Sequence, residues 1–224
     1  MRTKLIAIIA AAGCAIVTGQ DRFDLKVRNY FFAGVAGNTT ALDKGMKMCE
    51  EALAADPKNA QALVWHGSGR FIQSRGFFQK GDQQHGQEMW TQGLKEMDEA
   101  VALAPDDVGT RIPRGATLLT ASRYLPSPEM ARPLIERGIS DYAKAYEIQS
   151  GELDQLGTHS RGELLLGLAD GYSRLGETEK ATKTFELIRT SLKGTPYEQS
   201  ANTWFENKTL APAQAGCLGC HTGK

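Results

Sequence analysis

Cys217, Cys220 and His221 place two thiols and an imidazole within five consecutive residues, Cys217-Leu218-Gly219-Cys220-His221. Two thiols separated by two residues are spaced to meet the two vinyl groups of a haem, and the histidine that follows directly is turned to supply a nitrogen to the iron. The same residues admit other chemistry, because two thiols can close a disulfide or share a metal clip with His221. Zinc would need a fourth ligand, and no second ligand pair with finger spacing occurs in the chain. Five residues with three fixed, two of them of rare types, arise by chance in a chain of this length on the order of once in a thousand.

The other end of the chain bears on where that chemistry would take place. Arg2 and Lys4 precede an apolar run from Leu5 to Val17 that is short for a bilayer span, so residues 1–19 are expected to be a signal peptide cleaved after Gly19. Ala11-Ala12-Gly13-Cys14 is an imperfect lipoprotein box, and a lipidated Cys14 is the alternative. The expected location is exported, periplasmic or extracellular, with no membrane span after cleavage. Cleavage leaves Cys49, Cys217 and Cys220, a poor number for a disulfide framework, and Cys49 reads as a small buried hydrophobe. Lysine plus arginine and aspartate plus glutamate are 26 each, so no global field draws the protein to nucleic acid or to an anionic membrane. Gly-x-Ser-x-Gly, the phosphate loop and His-Glu-x-x-His are all absent, which argues against an enzyme. Haem peroxidase chemistry stays open if the sixth iron position is free.

Something must position these residues, and the body of the chain is a repeat. Gly45, Ala52 and Pro57 recur 48 residues later as Gly93, Ala100 and Pro105, and a third copy keeps Gly138 and Ala145, with Ser150 in the proline slot. Small residues recur where two helices would cross, and the proline or serine stands where a helix should stop. A fourth copy carries Leu165-x2-Leu168-Ala169-x2-Tyr172 and then Ala181-x3-Phe185. This segment, residues 164–188, resembles a tetratricopeptide repeat, with Leu175-Gly176 at the turn between its helices. Earlier copies are similar to it through Leu63-x2-His66-Gly67 and through Gly115.

The resemblance implies an all-α, tetratricopeptide-like solenoid of about four helix pairs, right-handed, with a concave groove. Its domain is residues 20–207, followed by a linker and attachment tail over 208–224. Helices are expected near 22–36, 40–55, 59–77, 84–104, 107–122, 128–148, 154–175, 178–193 and 195–207. The period exceeds the usual 34 residues, so longer helices or connections such as residues 79–87 are expected to absorb the difference.

The cysteine and histidine motif resembles the haem-attachment motif of c-type cytochromes. That resemblance implies one covalent haem c, with Cys217 and Cys220 as its thioethers and His221 as the proximal iron ligand. It covers these residues alone, since a small cytochrome domain wraps its haem with many residues after the motif and here Thr222, Gly223 and Lys224 follow. The rest of the pocket is therefore expected from the body. Tyr197, Trp204 and Phe205 lie nearest and could cover one haem face or cap the last repeat. Candidates for the sixth ligand are His66, His85, His159, Met46, Met48, Met89, Met97 and Met130, with His159 first and His66 next, although His66 fills a repeat slot normally held by buried leucine. The expected role is electron transfer, with the solenoid docking a redox partner protein or a neighbouring subunit, in a homo-oligomer or filament. A scaffold or self-assembling subunit whose Cys217 and Cys220 form a disulfide or metal clip is the competing expectation.

Overall fold

A computed structural model describes residues 22–211 of the 224. Among them are nine α-helices and no strand: α1 (Phe23–Val35), α2 (Thr39–Ala55), α3 (Ala60–Gln79), α4 (Gln83–Leu103), α5 (Val108–Ala121), α6 (Pro128–Gln149), α7 (Thr158–Leu175), α8 (Thr178–Ser191) and α9 (Pro196–Asn207). The expected all-α class and helix order hold, with ends displaced by at most four residues. Short 3-10 turns at Ser122–Tyr124 and Ser150–Gln155 follow α5 and α6.

Polar side chains set the helix starts. Asn38, Asn59, Asp82 and Ser127 each accept a hydrogen bond from the backbone N–H three residues on, and Asp107 accepts from Gly109 N. These side chains satisfy donors that a first helical turn leaves open. Gly176 ends α7 with φ of 77°, a left-handed conformation that glycine adopts without strain.

The helices pair in chain order. α1 packs on α2, α3 on α4, α5 on α6 and α7 on α8, while α1 also touches α3, α3 touches α5, and α5 touches α7. α9 closes the end against α8. Glycines permit the closest crossings: a Cβ on Gly93 would lie 2.6 Å from the Gly67 carbonyl oxygen, and one on Gly138 would lie 3.2 Å from that of Gly115. The repeat position holding Gly93 and Gly138 is therefore a backbone contact. In α7 and α8 the small residues are Ala169 and Ala181, both fully buried.

Three adjoining apolar clusters fill the interior. The first joins α1 to α4 around Phe31, Val64 and Met97, the next joins α5 to α7 around Tyr142, and the last joins α7 to α9 around Phe185 and Trp204. The long period is absorbed inside helices of 20, 21 and 22 residues, α3, α4 and α6. The expectation of a long connection over residues 79–87 is corrected, because only residues 80–82 separate α3 from α4. Asp82 caps α4 through His85 N and starts the helix early.

The crossing predicts opposite outcomes for two glycine substitutions. Gly93→Ala forces a methyl onto backbone and should cost about 1–3 kcal/mol. A methyl on Gly76 would meet nothing within 4 Å, so Gly76→Ala should gain about 0.5–1 kcal/mol from helix propensity. Urea unfolding midpoints would check both, and equal effects would remove the crossing as a constraint.

Candidate functional site

Cys217, Cys220 and His221 lie outside the described residues, as do the expected signal peptide, residues 1–19, and Cys14. What the structure does place is the point from which the chain leaves the body. Lys208 takes a left-handed conformation, φ of 59°, and ends α9. Leu210, expected in the linker, is instead packed in the last cluster, and its carbonyl oxygen accepts a hydrogen bond from Arg123 Nη1 at 3.3 Å.

Arg123 belongs to a buried polar hub. Its Nη2 lies 2.5 Å from Asp170 Oδ1 on α7, and Arg174 donates to the Leu119 carbonyl at 2.9 Å and to Ser122 Oγ at 2.7 Å. Burial pushes the Asp170 carboxyl above its ordinary range, and the Arg123 and Arg174 guanidinium groups oppose that push. The hub joins the end of α5, the end of α7 and the segment after α9. Its residues carry no sequence motif, which is why sequence reasoning missed them.

The expected iron ligands fall into different environments. His66 is buried as its repeat slot implied; its Nδ1 lies 2.7 Å from Glu96 Oε2 and its Nε2 lies 3.8 Å from Glu50 Oε1. Arg70 donates to the other oxygen of Glu96 at 2.9 Å. Both His66 nitrogens thus face carboxylates in a structural cluster. His85 is exposed, with Nδ1 at 2.8 Å from Asp82 and its ring stacked on Phe77. The Asp82 carboxyl is held below its usual range, first by the backbone N–H of His85 and then by its ring. His159 stands at the start of α7, its Nδ1 3.1 Å from the Tyr197 hydroxyl. Met46 and Met97 are core residues, Met48 packs against the first cluster, Met89 receives Arg70 Nη1 at 3.7 Å, and Met130 is exposed.

Tyr197 and Trp204 are also core residues. Trp204 stacks on Phe185 with centroids 4.4 Å apart and donates its Nε1–H to Ser173 Oγ at 2.7 Å. Both rings are at most 3% exposed, so their faces serve this core, in line with the helix-capping alternative. Phe205 remains partly exposed, flanked by Arg189 and Lys208.

A groove of about 2200 Å³ runs along the array, lined chiefly by α1, α3, α5 and the start of α7. Its apolar floor includes Trp65, Phe71 and Trp90, the last two with ring centroids 4.0 Å apart. Trp65 is buried, and its Nε1–H has no hydrogen-bond partner among the described residues. These aromatics were legible only as packing, because α3 is apolar on its core side and its groove side alike. No group of three or more histidine, cysteine or acidic residues that could hold a metal ion exists among the described residues, and no described helix is long and apolar enough to cross a membrane. No family model, curated protein or solved structure matches the chain.

Cys49 is fully buried, and burial, followed by the fields of Glu50 and Glu96, pushes its thiol up to about 12. Native protein should leave Cys49 unmodified by iodoacetamide, with reaction appearing only on unfolding. The thiol stays neutral in the folded chain while the unfolded chain ionises it near 9, so its contribution to stability is lost as pH rises between about 9 and about 12. Unfolding midpoints across that range should fall more steeply for the wild type than for Cys49→Ala.

Proposed function

We propose that the chain is an exported mono-haem c-type protein that transfers electrons, with a tetratricopeptide-like solenoid as its body. The single observation that carries this reading is the Cys217-Leu218-Gly219-Cys220-His221 motif in a chain that opens with an export-type leader. Support for the solenoid comes from helix pairs following chain order, from glycine crossings at the repeat spacing and from the consensus residues over 164–188.

The donor set fits the group. Each of Cys217 and Cys220 would add its S–H across one vinyl double bond, leaving a carbon–sulfur bond, and His221 would supply a ring nitrogen to the iron. Bound haem supplies a one-electron couple, which needs neither a nucleophile nor a general base from the protein. Cys49 takes no part, since its thiol is protonated and enclosed. Leu210 is held by Arg123, whose neighbour Tyr124 lines the groove, and a redox partner protein or neighbouring subunit would dock in that groove. The groove's apolar floor and aromatic rings suit a protein segment better than a phosphate backbone, and the balanced charge agrees with that.

Intact mass after expression with an export pathway and haem-ligation machinery tests the proposal. The expected species has lost residues 1–19 and gained one haem that survives denaturation. Cys217→Ala/Cys220→Ala should retain the fold, by circular dichroism, and lose the covalent haem. A mature chain of protein mass alone, with Cys217 and Cys220 joined as a disulfide, would establish the scaffold reading instead.

A further inference from the structure

We propose that the closing end of the array, where α8 meets α9, is a docking plate for an acidic protein segment. Carboxylates of the partner pair with Arg189 and Lys208, and an apolar side chain between them covers Phe205. The plate is built from the body alone, stands outside the groove and is independent of the haem reading.

Two cations converge there on one ring. The Arg189 guanidinium carbon lies 4.9 Å from the Phe205 ring centroid, and Lys208 Nζ lies 5.2 Å from it and 4.7 Å from that of Trp204. Arg189 and Lys208 are exposed, and Phe205 is partly so. An aromatic ring beside arginine is the composition of an interface anchor.

Among the described residues no carboxylate pairs with either charge. Arginines between helices, such as Arg70, Arg114 and Arg123, do face carboxylates, and on α8 Lys180 and Lys183 pair with Glu177 and Glu179. Glu186 stands one turn before Arg189 and Glu206 follows Phe205, yet neither forms an ion pair with Arg189 or Lys208.

Lys208 is also the one described residue other than glycine with a positive φ, 59°. The remaining left-handed positions are Gly37, Gly81, Gly176 and Gly194, and glycine is what a helix end in this conformation favours. The Lys208 backbone N–H donates to the Trp204 carbonyl at 2.7 Å, a bond that glycine would make equally well. Lysine therefore carries a steric cost that glycine avoids, and what it adds is a charge beside Phe205.

The chemistry selects the partner. Carboxylates accept charge-assisted hydrogen bonds from both cations, and an apolar side chain packs on the ring and excludes water. Nucleic acid is held by a track of cations that neutralise successive phosphates, and a lipid surface by clusters of about 4–8 basic residues. This plate instead presents a pair of charges, in a chain whose basic and acidic residues are equal at 26 each.

The test titrates the isotope-labelled mature chain with the peptide Glu-Glu-Phe-Glu-Glu and follows backbone amide signals by NMR. Signals of residues 189 and 204–208 should shift together, and rising salt should weaken binding. Arg189→Gln and Lys208→Gly should each weaken it about fivefold, with urea midpoints close to that of the wild type because neither residue is enclosed. The uncharged peptide Gln-Gln-Phe-Gln-Gln should leave the signals in place. Equal shifts with that peptide, shifts confined to other residues, or no binding overturn the plate. Equal effects from inorganic phosphate or from phosphatidylglycerol vesicles overturn the protein partner and assign a phosphate group instead. A clearly lower urea midpoint for Lys208→Gly overturns the role given to its charge, since lysine then serves the helix end. None of these outcomes bears on whether Cys217 and Cys220 carry haem.

Discussion

Backbone contact between glycines is the constraint on which this molecule depends. Where Gly67 meets Gly93 and Gly115 meets Gly138, a single added methyl would collide with a carbonyl oxygen or reach the edge of tolerable contact. Such crossings let α3 lie against α4, and α5 against α6, close enough for long side chains to interdigitate beside the contact. Phe71, Tyr142 and Met97 fill that space and are buried. With each pair drawn together, the odd-numbered helices come into mutual contact and form the groove. Larger residues at those positions would separate the pairs and dissolve the groove's floor with them.

Apolar packing alone does not fix how one helix sits on the next, and ion pairs, some of them buried, supply that register. Asp141 on α6 is fully buried, and it accepts from Arg111 at 3.0 Å and from Arg114 at 2.7 Å, both on α5. Arg114 also reaches Asp98 on α4, which pairs in turn with Arg137 on α6, so one network crosses three helices. Asp170, Arg123 and Arg174 repeat the device between α7 and the turn that follows α5. Removing one partner from such a set strands a buried charge, which costs far more than a surface pair contributes. The same hub grips Leu210, so the interaction that registers the last helix pairs also decides where the chain leaves the body.

Legibility from sequence followed the physical scale of each feature. Helices were readable because stops such as Pro57 and Pro105 act on neighbouring residues. The glycine spacing was readable because a repeat writes the same contact more than once. His66 was readable as buried from its repeat slot, but its partners Glu96 and Glu50 come from other helices and leave no local mark. Tyr197 and Trp204 looked available because they precede the motif in sequence, whereas α9 turns them inward onto Phe185 and the last cluster. The Arg123 hub was out of reach because it is defined by where three distant segments meet.

The packing of Leu210 changes the energetics of bringing a tail-borne group to the body. Had residues 208–216 been free, nine residues would need ordering, at about 1–2 kcal/mol each. With Leu210 fixed, six residues, 211–216, separate it from Cys217, and the cost falls to about 6–12 kcal/mol. At about 25 cal/mol per Å², burying roughly 240–480 Å² of apolar surface would offset that range. The upper half of it demands nearly all of one porphyrin face together with the side chains beneath. On the proposed haem reading, contact with the body would hold the group only where apolar cover and an iron–ligand bond act at the same place.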